Sequence, residues 1–246
     1  MNLDEDYHVH STFSDDASST LAENVSAAAG RGLRTLCLAD HVRRDTAWVP
    51  EFAAAVAEYR SRPGLRVLAG VEAKIWDGSG RLDLPDTLDG IDLVLIADHQ
   101  FPADNGPVHP AEVRSALAYG GMTAAEAIER VCEATARAVL YGGQWSGGER
   151  TGGPGVLLAH LFSLLPKIGL DETMIPDALL ADLAKRAAHA GALAEVNEKW
   201  SCPSPRTVTA LVRAGVTVVA GSDSHHCRDI GHYDSWVRPT LSAVGA

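Results

Sequence analysis

No apolar run in this 246-residue sequence approaches the roughly 20 residues of a membrane-spanning helix. The opening Met1-Asn2-Leu3-Asp4-Glu5-Asp6 is acidic and lacks the basic start of a secretory signal. Cysteine is scarce. Cys37, Cys132, Cys202 and Cys227 are the whole set, and no two form a C-x-x-C pair. That pattern reads as reduced, buried thiols in a cytoplasmic protein. Positive charge is also short: 21 Lys and Arg stand against 32 Asp and Glu, a formal net charge of −11. No basic stripe interleaved with aromatics offers a track for a strand, so the surface repels nucleic acid and acidic membranes. Neither G-x-G-x-x-G nor G-x-x-x-x-G-K-[ST] follows an expected strand, so the usual nucleotide cradles are missing. No internal repeat or interdomain linker is visible, and residues 1–246 read as one domain.

What the chain does have is alternation. Residues 7–10 read as a short strand, and the segments 35–39, 66–71, 92–97, 156–159, 192–196 and 216–220 as further strands. Continuous runs of this kind suit a parallel sheet buried on both faces. Helices are expected between them: 21–30 behind a Thr20/Glu23 capping box, 51–60 behind Pro50, 123–140 behind a Thr123/Glu126 box, 177–190, and 204–214 with Pro205 in its first turn. Residues 74–84 suggest a hairpin around Asp77-Gly78-Ser79-Gly80. Residues 101–110 read as a loop and the tail as irregular. The stretch 142–155 holds seven glycines and reads as a mobile loop over the pocket, with Trp145 as its apolar face. The alternation predicts an α/β fold with helices covering a parallel sheet.

In parallel barrels, chemistry collects at the C-terminal ends of the strands. His8 and His10 are two apart on the first strand, so both imidazoles point the same way. On a helix they would diverge. That is a metal-holding geometry. Every later strand answers it: Asp40-His41, Glu72, Asp98-His99, His160, Glu195-Val196-Asn197 and Asp223-Ser224-His225 all stand at strand ends. Strand alternation turns Asp40 and Asp98 away from the point that His41 and His99 face, so both are expected behind the ligands. Glu195 and Asn197 are assigned to the same supporting shell. The other histidines read differently. His189 ends a helix, where it meets the dipole; His109 precedes a proline in a loop; His226 and His232 are expected at the surface.

Taken together, His8-Val9-His10-Ser11 with Ser14-Asp15, Ala39-Asp40-His41, Gly70-Val71-Glu72, Asp98-His99, Leu158-Ala159-His160, Glu195-Val196-Asn197 and Gly221-Ser222-Asp223-Ser224-His225 resemble the PHP (polymerase and histidinol phosphatase) family of metal-dependent phosphoesterases. The stretches span nearly the whole chain in the family's order. The resemblance implies a distorted seven-stranded (β/α) barrel with the metal site at the C-terminal ends of the strands. It implies two to three divalent metals. His8, His10, Glu72 and Asp223 would hold one. Glu72 would bridge to a second, held with His99 and His160. Asp15, His41 and His225 would hold the third. The family commonly has Ser-Asp-Gly where this chain has Ser14-Asp15-Asp16-Ala17, so Asp16 is the alternative to Asp15. Region 101–155 departs most from the family and is expected to shape the substrate pocket.

The ligand set mixes imidazole with carboxylate and lacks thiolate, which suits Zn, Mn or Fe over Mg or Ca. Metals bridged by a carboxylate lower the pKa of water and give hydroxide near neutral pH. Three divalent ions against the three carboxylates Asp15, Glu72 and Asp223 make a locally cationic pocket in an acidic protein. A phosphate dianion fits there. Lys199, Arg43, Arg44 and Arg228 lie near the rim and are candidate substrate contacts, with Lys199 favoured. The leading expectation is a phosphatase acting on a small phosphorylated molecule. The alternatives are a nuclease or phosphodiesterase, a metal-dependent hydrolase of a C–N or C–O bond, and a non-catalytic metal-stabilised domain. The residues name neither the leaving group nor an oligomeric state.

Overall fold

A computed structural model describes residues 2–147 and 153–245. Its strands are β1 (Glu5–Val9), β2 (Thr35–Val42), β3 (Arg66–Lys74), β4 (Leu93–Ala97), β5 (Phe101–Ala103), β6 (Gly106–Val108), β7 (Gly155–Leu158), β8 (Leu193–Asn197) and β9 (Thr217–Gly221). Seven of them form one parallel sheet in the order β1-β2-β3-β4-β7-β8-β9. The sheet curls until its edges meet. His10 N–H donates to the Ser224 carbonyl at 2.8 Å, and Ser224 N–H to the His8 carbonyl at 3.3 Å. The buried Asp6 carboxylate reinforces this seam by accepting from the amides of Ser222 and Gly231, each at 2.9 Å. The result is the nearly closed, distorted barrel that the resemblance implies.

Two apolar layers hold it. Outside, the helices α1 (Leu21–Gly30), α2 (Val49–Ala57), α3 (Pro110–Ala118), α4 (Ala124–Gly147), α5 (Leu164–Ile168), α6 (Asp177–His189), α7 (Pro205–Ala214) and α8 (Val237–Val244) cover the sheet through the large cluster that includes Phe52, Ile96, Val131 and Leu211. Inside, Cys37, Ala39, Leu68, Leu95, Leu157 and Val219 form a smaller plug. Strand alternation places His41 above Cys37 and Ala39, and Glu72 above Leu68 and Gly70, on the same inward face. The polar strand ends therefore sit on a dry floor of low dielectric.

Both capping boxes form. Thr20 accepts from Glu23 N–H while Glu23 accepts from Thr20 N–H, and Thr123 and Glu126 do the same. The hairpin after β3 is present as an Ile75–Leu82 bridge with Trp76 N–H donating to the Arg81 carbonyl. Three expectations are corrected. Residues 101–110 are not a plain loop: β5 and β6 pair as a small antiparallel ribbon, and α3 starts at Pro110. The tail is not irregular, since it carries α8. Residues 142–147 are not loop either but the last turns of α4. A Cβ on Gly142 would stand 2.6 Å from Val156 Cγ2, so glycine here lets the helix lie against β7. The remainder of the expected glycine-rich loop, at 148–152, lies outside the described residues. Among the described residues no helix is long and apolar enough to cross a membrane.

Candidate metal centre

Glu72 is the hub. It stands near the end of the inward face of β3 and is buried, and imidazoles crowd its two oxygens. Oε1 lies 2.8 Å from His160 Nε2 and 3.0 Å from His99 Nε2. Oε2 lies 2.7 Å from His41 Nδ1 and 3.5 Å from both His8 Nε2 and His10 Nε2. Despite these distances Oε2 has no hydrogen-bond partner; His41 approaches it outside hydrogen-bond geometry. His8 Nε2 and His10 Nε2 face each other at 3.0 Å. A buried, unpartnered carboxylate oxygen among converging imidazole nitrogens is the donor arrangement of a cation site. Three groups of donor atoms lie within 4.8 Å of one another: His8, His10 and Glu72; His41, Glu72 and His99; and His10, His41 and His225.

The grouping differs in detail from the sets that the resemblance implied. His41 serves two groups, lying between Glu72 and Asp16. Asp16 Oδ2 reaches His225 Nε2 at 3.2 Å and His41 Nε2 at 3.5 Å. Both aspartates are exposed on the pocket wall, and Asp15 lacks such contacts, so of the two it is Asp16 that faces the histidines. Asp223 lies 3.5 Å from His10 Nε2, yet its oxygens also accept from Lys199 Nζ at 3.1 Å and Trp200 Nε1 at 2.8 Å. His160 and Asp223 both hold left-handed backbone, with φ of 29° and 53°. Such strain in non-glycine residues is sustained where the surroundings over-determine the geometry.

A supporting layer fixes the imidazoles. Both Glu195 oxygens lie 3.1 Å from His8 Nδ1, Oε2 also accepts from His160 N–H, and Oε1 from Asn197 Nδ2. Asp98 accepts from Ser163 Oγ and lies 3.4 Å from His160 Nδ1. Asp40 accepts from the amides and hydroxyls of Ser11 and Ser14. Ser14 Oγ in turn accepts from His41 N–H and stands 3.5 Å from His10 Nδ1. The two serines escape sequence reading because their role depends on the turn after β1.

Charges in this dry cluster are strongly coupled. Burial acts to depress the His8 pKa, but Glu195, Glu72 and Asp223 override it and hold the imidazole well above its usual range. Burial likewise opposes the His160 proton, and Asp98 and Glu72 raise that group to about 10. Burial would raise Glu72, but His99 and His8 pull it well below the carboxylate range. Asp223 is depressed against its burial by His8 and His10. His10 is pushed down to about 3 by burial.

Above the cluster opens a cavity of about 390 Å³. Arg43, Lys74, Gln100, Lys199 and Trp200 line it. Of the expected basic contacts, Lys199 and Arg43 are there. Arg44 is not: its guanidinium lies 4.7 Å over the Trp76 ring. Arg228 is not either, since its Nε donates to His226 Nδ1 away from the cavity. Lys74 was missed, though it stands two residues after Glu72 on one strand and so shares its face.

The chain is similar to known proteins over most of its length. It is 25% identical over 252 residues, covering 95% of this chain and 80% of the relative, to a Caldanaerobacter subterraneus protein carrying the name "Probable phosphatase". It is 34% identical over 111 residues to a protein of the same designation from Thermoanaerobacter sp., covering 43% of this chain and 45% of that one. Its fold matches the crystal structure of histidinol phosphate phosphatase from Lactococcus lactis complexed with zinc, L-histidinol and phosphate. There the TM-score is 0.66 at 16% identity, covering 98% of this chain and 92% of that one. The family model described as PHP domain matches residues 6–134, just over half of the sequence, and the chain belongs to that family.

Proposed function

We infer that the protein is a metal-dependent phosphatase that hydrolyses a small-molecule phosphate monoester. The observation that carries this is Glu72, a buried carboxylate with an unpartnered oxygen among imidazoles, at the foot of a cavity that Arg43, Lys74 and Lys199 line together with Asp15 and Asp16. The phosphatase names of the relatives support the same reading. His8, His10, Glu72 and Asp223 are proposed to hold one metal, Glu72 with His99 and His160 a second, and Asp16, His41 and His225 a third. The imidazole and carboxylate donors favour Zn, Mn or Fe. Bound there, the metals supply the positive charge that draws a phosphate dianion and acidifies water.

The chain's own residues do the rest. Glu195 holds His8 by Nδ1 and so presents Nε2 to the cluster. Lys199 Nζ lies 3.1 Å from both Asp223 Oδ1 and His225 Nδ1. From there it can turn to a phosphate oxygen and fix the ester's orientation. Arg43 is the second proposed phosphate contact; among the described residues its guanidinium has no ion pair. The cavity of about 390 Å³ accommodates a small monoester.

A panel of phosphorylated metabolites on metal-defined protein tests the reading. Hydrolysis of a monoester that EDTA abolishes and Zn, Mn or Fe restores is expected. Protein without any transition metal by elemental analysis, yet fully active in excess EDTA, would overturn it.

A further inference from the structure

Lys74 stands apart from the machinery assigned above. It is the last residue of β3, on the same face as Glu72, and its side chain lines the cavity. In the closed sheet, β3 and β8 are separated by β4 and β7 one way and by β2, β1 and β9 the other. Lys74 and Lys199 therefore rise on opposite sides of the barrel mouth. A phosphate gripped by Lys199 near Asp223 leaves the β3 side for the rest of the substrate.

That side presents an ammonium held in place by a carboxylate. Lys74 Nζ is held 3.2 Å from Asp83 Oδ2, whose carboxylate is almost fully buried. Asp83 is itself fixed by Arg44 N–H at 3.0 Å. The β2–β3 register ends at Val42 beside Ala73, so Arg43, the proposed phosphate contact, follows β2 next to Lys74. Gln100 adds an amide from the segment between β4 and β5.

The hairpin does not need this ion pair. The Ile75–Leu82 bridge and the Asp83 N–H bond to the Lys74 carbonyl already close it. Largely buried ion pairs stabilise poorly compared with apolar replacements. A lysine kept in a cavity wall by a buried carboxylate is better explained by what enters the cavity.

We propose that Lys74, fixed by Asp83 and with Gln100 on the same cavity wall, forms a second anion subsite that receives an acidic group on the leaving portion of the substrate. The preferred substrates are then phosphate monoesters that carry their own carboxylate or second phosphate. This rests on the phosphatase reading above.

Binding of three non-hydrolysable probes to metal-loaded protein, measured by calorimetry, tests it: n-propylphosphonate, 3-phosphonopropionate and propane-1,3-bisphosphonate. The wild-type protein should bind at least one of the doubly acidic probes about tenfold more tightly than n-propylphosphonate, the scale of one charge-assisted hydrogen bond. Which probe gains says whether the second acid is carboxylate or phosphate. Lys74→Met should bring that ratio close to one. Lys74→Gln, which keeps a donor for Asp83 without the charge, should do the same if the methionine variant folds poorly, and Lys74→Arg should preserve the ratio. An unchanged ratio in the neutral variants, or no preference in the wild type, overturns the subsite. If none of the probes binds the wild type, the phosphate reading itself fails, a separate and recognisable result.

Discussion

At the scale of single residues, Glu72 carries the largest share of the consequences. Five imidazole nitrogens, from His8, His10, His41, His99 and His160, lie within 3.5 Å of its oxygens. Glu72→Gln is nearly isosteric but removes the charge that all five face. It should therefore lose more bound metal and more kcat/KM than any single His→Ala change, by at least about a hundredfold. A ligand panel in which Glu72→Gln ranks among the mildest would refute the bridging role. Lys199 has a different signature. Lys199→Ala should keep the metal complement while kcat/KM falls roughly ten- to a hundredfold, as expected for losing a charged partner of phosphate. A loss under about threefold would place the phosphate anchor elsewhere. The adjacent Asp15 and Asp16 mark the limit of reading at this scale. Which of two neighbouring carboxylates faces inward is decided by the turn in which Ser14 N–H donates to the Ser11 carbonyl and Ala17 N–H to the Ser14 carbonyl, and no residue spacing encodes that.

Between elements, the closest fit is where β8 meets β9. Gly221 pairs with Asn197, and a Cβ at Gly221 would fall 1.8 Å from Glu195 Oε1. The glycine is required by space: it makes room for the carboxylate that holds His8. Gly221→Ala should displace Glu195, cost about 1–3 kcal/mol in stability and weaken metal affinity roughly 10–100-fold. Denaturant unfolding and metal titration check this, and wild-type values in both would contradict it. The elements most legible in the sequence were those with local signals. The capping boxes at Thr20 and Thr123 and the apolar runs of β2, β3 and β9 need no distant partner to be recognised. The strand-end histidines and carboxylates followed from the strands. The elements that escaped depend on remote contacts. Helix α8 has Trp236 at its N-cap, with no side-chain cap; the amides of Ser235, Trp236 and Val237 instead donate to Glu198 from beyond β8. Helix α3 is capped by His109, an uncommon choice, which accepts from Ala111 N–H. Gly142 near the end of α4 looks like a breaker until Val156 of β7 is packed against it.

Over the whole molecule, metal, proton and fold are linked. A metal takes neutral imidazole, whereas the surrounding carboxylates hold His8 well above its usual range and His160 near 10. Metal uptake must expel those protons, so affinity should rise with pH through neutrality, by up to about 1.4 kcal/mol per pH unit for each proton displaced. Metal at a hundredfold above its dissociation constant should raise Tm by roughly 5–10 °C at pH 8, and by less at pH 6. A Tm gain that is absent, or larger at the lower pH, would contradict the linkage. The same geometry bears on how the protein is made. The barrel seam joins β1 to the segment after β9, and His10 shares one donor group with His225. On the ribosome His8 and His10 emerge long before His225, and that group cannot exist until β9 has cleared the exit tunnel and folded back against β1. Until then the two histidines are an incomplete donor set, and closure of the barrel, not local folding, completes it.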